Sequence, residues 1–370
     1  MGKIKKYRIG ISIGSTMDLS KMSVTGVPQN IVFLYELLSL LGHETTLITD
    51  TVVSQPTVQL ARGRTYNICS VNDVTGPLSL DIFLEMGQIF TVVHRQLLNA
   101  SGCKIVSVRC GNALIIDMED LFTKSAVIEG KQHIQDLIDH VWILPHHKHQ
   151  ASYLESLLEA KASIMPYIWE PYFIDEPAFN TTCRDQLNIY VMEPNFSVLK
   201  NALIPMVIIN NQYKVDPDSF NQAFIVNGDK LPKNEYFLNN ITANLDSLNA
   251  HIAPNKVFFT PRCQFQEAFV QPDVLLSNHW LNGLNNLSFE ALYLGVAFVH
   301  NSEFFQELGY FYPGFDAHLG QQALNDALNN HKTNFTAHLS KNRDFIKKYS
   351  IFDTTVQNKY SKLLEQAINS

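Results

Sequence analysis

The sequence predicts an α/β protein of two domains, each built on a parallel sheet, and three observations carry that reading. Short apolar runs alternate with segments of helical periodicity in both halves of the chain. The alternation breaks across a proline-bearing stretch, with Pro166, Pro171 and Pro177, and then restarts. At 370 residues the chain is long for one core and suits two. The expected division is a first domain over residues 1–170, a linker over 171–186, a second domain over 187–350, and a final helix over 351–370 that packs back on the first.

In the first half, residues 8–14 (RIGISIG) read as a buried strand. After a polar stretch, a helix carries Ile31, Leu34, Leu38 and Leu41 on one face and stops at Gly42. Residues 43–50 (HETTLITD) form the next strand, completing the strand, loop, helix, strand order of a Rossmann-like half. Gly10 and Gly14 do not complete a G-x-G-x-x-G fingerprint, so no dinucleotide site is read here. Further strands cover residues 80–85 (LDIFLE), 104–109 (KIVSVR) and 141–144 (VWIL), with Gly87 opening a helix after the first of them. Parallel topology gathers their carboxyl ends, and with them Glu85, Asn112 and the His146-His147-Lys148-His149 turn, on one rim.

The second half repeats the alternation. Residues 187–192 form a strand, Glu193-Pro194-Asn195 a turn, and a helix follows that holds Lys200. Strands at 223–227 and 256–260 flank another expected helix, and Arg262 follows the later strand. The organising stretch is 274–302: an apolar strand at 274–276, a polar loop from Ser277 through His279, a helix at 285–294 and, after the Gly295 stop, a second apolar strand. From Asp316 onward the pattern is helical, broken near Ser350. Loops at strand carboxyl ends face the ligand crevice in such sheets, so residues 277–285 are expected to line a site. Gly283 lets a backbone approach closely, and the amides opening the helix offer donors to an anion. Glu290 reads either as a carboxylate reaching back toward that loop or as a solvated helix residue.

Asn282-Gly283-Leu284, then Glu290-Ala291-Leu292, Gly295 and a strand, resembles the donor segment of GT-B glycosyltransferases. There two glutamates stand in E-x7-E spacing; the second falls on Glu290 and the first on Asn282, a departure from the pattern. The resemblance implies two Rossmann-like domains facing across a cleft, a C-terminal helix crossing back to the first, and Glu290 on the ribose hydroxyls of a nucleotide sugar. It also implies donor contacts from Asn282, Gly283, Leu284, Asn285, Ser277, His279, Glu193 and Asn195. Lys200 and Arg262 would neutralise the leaving diphosphate. The first domain would hold the acceptor, a glycan or another molecule, through Gln29, Asn30 and Asn112. From its place at the end of an apolar strand, Glu85 reads as base or acceptor-orienting group, or as a structural carboxylate capping the next helix. His146, with His147 and His149, reads as a proton-transfer candidate, as a metal site, or as a turn presenting polar groups to solvent. No metal or other cofactor is expected, the nucleotide sugar being a substrate. A nucleotide-sugar epimerase or hydrolase on the same scaffold, and an inactive binding protein, are the competing readings; the Asn282 departure suits the latter.

Composition bounds the partners. Hydrophobic residues make up 46% and charged ones 17%, as in a packed globular protein. The net charge of −7 argues against nucleic acid. Basic residues cluster at Lys3, Lys5, Lys6 and Arg8 and again at Lys341, Arg343, Lys347 and Lys348; they read as solvated surface or as a weak contact with anionic lipid. Five scattered cysteines without C-x-x-C spacing point to reduced thiols, a cytoplasmic setting and no structural zinc. No leader is read, and no apolar run approaches the roughly 20 residues of a membrane span. Asp216-Pro217-Asp218 has the spacing of a metal-binding D-x-D but reads as a turn.

Overall fold

The computed structural model describes residues 5–14, 26–74, 79–123 and 133–369. Lys3 and the polar stretch at 15–25 lie outside the described residues. The chain divides into two units, Met1–Phe173 with Lys347–Ser370, and Ile174–Ile346.

The first unit opens with β1 (Arg8–Ser12), α1 (Gly26–Leu40) and β2 (Glu44–Thr49). Ile31, Leu34 and Leu38 are buried, so the apolar stripe read from the sequence is the face that α1 turns inward. A hairpin of β3 (Thr57–Leu60) and β4 (Arg64–Ser70) follows, the one antiparallel pair of the sheet among the described residues. Its strands are half exposed and carry polar residues, so they lack the apolar run that marks a buried strand. Next come β5 (Ile82–Glu85), α2 (Val92–Ala100), β6 (Lys104–Arg109), α3 (Ala113–Thr123), β7 (His140–Ile143), α4 (Ala151–Leu158) and β8 (Lys161–Ile164). The strand order is β3-β4-β2-β1-β5-β6-β7-β8, reversing direction between β1 and β5. Residues 161–164 form an edge strand that the sequence reading does not mark; KASI is too short and too exposed to announce itself.

Gly87 does not open α2, whose N-cap is Thr91. It passes against the end of β1, where an added Cβ would come within 2.8 Å of the Ser12 carbonyl. The Ser12 hydroxyl accepts the amides of Met86, Gly87 and Gln88 (2.8, 3.1 and 3.3 Å), tying the turn after β5 to the end of β1.

The second unit contains β9 (Ile189–Val191), α5 (Leu203–Val215), β10 (Ala223–Val226), β11 (Val257–Thr260), α6 (Phe265–Ala268), β12 (Val274–Leu276), α7 (Asn286–Leu294), β13 (Ala297–His300), β14 (Tyr310–Phe311) and α8 (Ala317–Ile346). Its sheet is parallel throughout, in the order β11-β10-β9-β12-β13-β14. Ile189, Val191, Ile225, Val274, Leu276 and Val299 pack with residues of α5 and α8 in one core. Gly295, at φ +75°, takes the left-handed turn that ends α7. Two expectations change here. Between β10 and β11 the chain makes short 3₁₀ and π turns instead of a helix, and α5 starts at Leu203, leaving Lys200 in the loop before it.

The last helix, α9 (Thr354–Ile368), belongs to the first unit. Asp353 caps it by accepting the amides of Thr355 and Val356. Tyr360 is buried edge-on to Trp142 and donates to the Pro166 carbonyl at 2.8 Å. Glu170 Oε1 accepts the Ser350 hydroxyl (2.5 Å) and the Ile351 amide (2.9 Å), tying the returning chain to the segment after β8. No described helix is long and apolar enough to cross a membrane.

Tyr360→Ala deletes a buried aromatic ring and its hydrogen bond. It is expected to cost the first unit about 3–5 kcal/mol, read as a lower urea midpoint by the fluorescence of the buried Trp142 and Trp169.

Candidate functional site

The second sheet reverses its strand order between β9 and β12, and the residues leaving those strands meet at their carboxyl ends. Glu193 lies two residues beyond β9; Ser277, Asn278 and His279 follow β12 directly. All four are buried. The Asn278 amide donates to the Glu193 carboxylate, and the Ser277 hydroxyl lies beside it. Among the described residues, Glu193 Oε1, Ser277 Oγ, both ring nitrogens of His279 and Asn282 Nδ2 are buried without a hydrogen-bond partner. Each such orphan costs about 1–3 kcal/mol, and folded proteins leave few of them. Five along the loops leaving two adjacent strands form a place built to be filled.

Burial governs the charges. It pushes Glu193 up to about 7, against the pull of Lys200 and of the Ser277 and Asn278 contacts. It lowers Lys200 in turn, countered by Glu193. The His279 imidazole is pushed down to about 3, by burial first and then by His300 and Lys200. At neutral pH it is uncharged, one ring nitrogen donating and the other accepting.

Two residues that the sequence reading missed, Asn301 and Tyr312, hold this loop, and a third, His300, orders the chain that follows β13. Asn301 Oδ1 accepts the His279 amide at 2.6 Å, and its Nδ2 donates to the carbonyls of His279 (2.9 Å) and Gly314 (2.6 Å). The Tyr312 hydroxyl donates to the Ser277 carbonyl at 2.9 Å, with Asn278 Oδ1 3.1 Å away. His300 accepts the Ser302 amide at Nδ1 and donates from Nε2 to the Leu308 carbonyl, which sets its tautomer. Asn301 leaves β13 as Ser277 leaves β12, so the carboxyl-end rule applied to this strand would have found it.

Other expected residues serve the fold. Asn285 caps α7, its Oδ1 accepting the Ser288 amide at 2.9 Å. Gly283 is packed rather than open: a Cβ would come 2.9 Å from Ser302 Oγ and from the Phe304 ring, and its carbonyl accepts the Ser302 hydroxyl. Leu284 is buried apolar packing. Asn195 folds the loop after β9, its Oδ1 taking the Ala202 amide and its Nδ2 reaching the carbonyls of Glu193 and Asn227. Arg262 is exposed beyond β11, an edge strand two removed from β9, so it is not brought to this place. Glu290 is buried on α7 and does not face bulk water.

In the first unit Glu85 is not a free rim carboxylate. Its oxygens take Arg95 Nη2 (2.6 Å), Arg95 Nε (3.1 Å) and the Phe90 amide (2.8 Å), with both side chains at most 1% exposed. That bidentate pair corrects its assignment as a base. Asn112 is spent as well: Oδ1 accepts the Ile115 amide and Nδ2 donates to His149 Nε2 at 2.9 Å. Gln29 is buried in α1, and Asn30 lines a small cavity with Met86, Leu144, Met165 and Tyr360. His146 is buried, its ring 3.9 Å from that of His147.

Solved structures share this architecture over nearly its whole length. An alpha-glucosyltransferase in complex with UDP-glucose and DNA matches 98% of this chain and 100% of its own at 10% identity and TM-score 0.55. The α,α-trehalose 6-phosphate synthase from Burkholderia multivorans matches 99% of each chain at 9% identity and TM-score 0.56. The DNA-modifying beta-glucosyltransferase matches 98% of this chain and 100% of its own at 13% identity and TM-score 0.55. The chain therefore has the GT-B fold. It belongs to the family described as "Protein of unknown function (DUF2827)", whose profile matches residues 9–364. No curated protein matches it by sequence. The expected exclusion of nucleic acid is overturned: two of these structures of the same fold are of DNA-modifying enzymes or hold DNA, so bulk net charge does not exclude that partner.

Two outcomes follow from these environments. Glu85→Gln breaks a buried bidentate pair and is expected to destabilise the protein by about 3–5 kcal/mol in denaturant titration. Glu193 is raised from an ordinary 4.5 to about 7, so its contribution to stability is full below pH 4.5 and lost as pH rises through 7. Glu193→Gln stays neutral, so its stability relative to the parent should climb over that window by on the order of 3 kcal/mol, read from melting temperatures at pH 4.5 and 7.5.

Proposed function

We propose that this protein is a glycosyltransferase whose second unit binds a nucleotide-sugar donor, the sugar passing to a glycan or another acceptor. One observation carries the reading: the buried, unmatched polar atoms of Glu193, Ser277, His279 and Asn282 gather at the strand-order reversal of a GT-B sheet, where such sheets take ligands. The neutral His279 and the Asn282 amide offer hydrogen bonds to phosphate or sugar oxygens. Glu193, close to half-ionised at neutral pH, gives or accepts one at a sugar hydroxyl. Glu290 takes the ribose. Lys200 and the amino end of α7 balance the diphosphate without a metal ion.

The test is calorimetry with UDP-, GDP- and CMP-sugars on the full chain. One nucleotide is expected to bind, and Lys200→Ala should weaken it tenfold to a hundredfold, the loss of one charge-assisted hydrogen bond of about 1.5–3 kcal/mol. Glu290→Ala and His279→Ala should weaken it too, and activity should survive EDTA. Absence of binding across the panel would overturn the proposal. Turnover with no acceptor present would favour an epimerase or hydrolase.

A further inference from the structure

The first unit contains two neighbouring arginines in opposite condition. Arg95 is fully buried and matched: Nε and Nη2 hold Glu85, and Nη1 donates to the carbonyls of Ile134 (2.7 Å) and Asp136 (3.0 Å). Arg109 ends β6, beside the carboxyl ends of β5 and β7. Its Nε and Nη2 are buried with no hydrogen-bond partner among the described residues, while the residue as a whole stays partly exposed.

The carboxylates whose fields reach Arg109 are committed elsewhere. Glu85 belongs to Arg95. Asp117 accepts His133 Nε2 at 2.8 Å and the Tyr153 hydroxyl at 2.5 Å. Burial lowers the Arg109 pKa below its ordinary value, offset by Glu85 and Asp117 and reinforced by Arg95. A guanidinium does not escape such a site by losing its proton, so an enclosed, unneutralised fork is a standing cost. The two orphan atoms are moreover a matched pair. Nε–H and one Nη–H lie parallel along one edge of the guanidinium, the edge that grips both oxygens of a carboxylate or phosphate.

We infer that Arg109 is a specificity-determining residue for an acceptor that bears an oxyanion, a carboxylate or a phosphate, received by the Nε–Nη2 edge. This rests on the glycosyltransferase reading and narrows its acceptor class. A neutral sugar would leave the fork unmatched.

The experiment measures binding of inorganic phosphate, glucose 6-phosphate, glucuronate and glucose to the full chain by calorimetry, beside UDP as the donor-side control. The parent protein should bind at least one of the two charged sugars tenfold or more tighter than glucose, and the phosphate and carboxylate arms tell which oxyanion it takes. Arg109→Gln should lose that affinity tenfold to a hundredfold, keep its UDP affinity, and melt no lower than the parent, because the guanidinium it removes has no partner to lose. Arg109→Lys, charged but without the fork, should fall short of the parent. Equal affinity of the parent for charged and neutral sugars, retained oxyanion binding in Arg109→Gln or full retention in Arg109→Lys would each overturn the inference. A lower melting temperature of Arg109→Gln would do so as well, by making the residue structural. Loss of UDP binding in the parent would strike the donor reading instead.

Discussion

The parallel pairing of β9 with β12 is the constraint on which the candidate site depends. Both strands are three residues long, and Val274 pairs with Ile189 and Leu275 with Tyr190. So short a pairing is steadied at its amino end: the fully buried Asp273 carboxylate accepts the Asn188 amide at 2.9 Å, and Asn188 Oδ1 takes Asn221 Nδ2. A slip of one residue would turn every side chain of the strand to the other face. Glu193 and Ser277 would then no longer meet. The polar anchor at one end of the pair thus decides which chemistry stands at the other.

The two sheets treat their reversal points differently. In the first, Ser12 gathers three amides and Glu85 is consumed by Arg95, so these two groups are matched within the protein. In the second, the backbone is secured by Asn301 and Tyr312 while several side-chain atoms stay unmatched. A loop that is rigid in its main chain and unsatisfied in its side chains is preorganised, and its stability is spent where a ligand would return it.

What the sequence made legible was periodic. The 274–302 segment emerged as strand, loop, helix and strand because its apolar runs and Gly295 depend on neighbours in the chain. The buried face of α1 was readable for the same reason. Partners from distant sequence were not readable. Glu85 looked like a rim carboxylate until Arg95 arrived from the next helix, and Asn112 looked available until His149 reached it. Asn285 was placed at the right loop but with the wrong task, since an asparagine ahead of a helix is first a cap. Lys200 fell outside its expected helix because residues 197–201 fold as a tight loop around Asn195. The β3–β4 hairpin gave no apolar signal, and Tyr312 shows its role only once β14 lies beside β13.

The return of α9 to the first unit also has a bearing on synthesis. The second unit is contiguous and can close on itself as soon as it leaves the ribosome. The first lacks Tyr360 and the helix that carries it until the whole second unit has been translated, roughly ten to thirty seconds at about 5–20 residues per second. Through that interval the apolar side chains that α9 covers wait for their partner. The half made first is the half completed last.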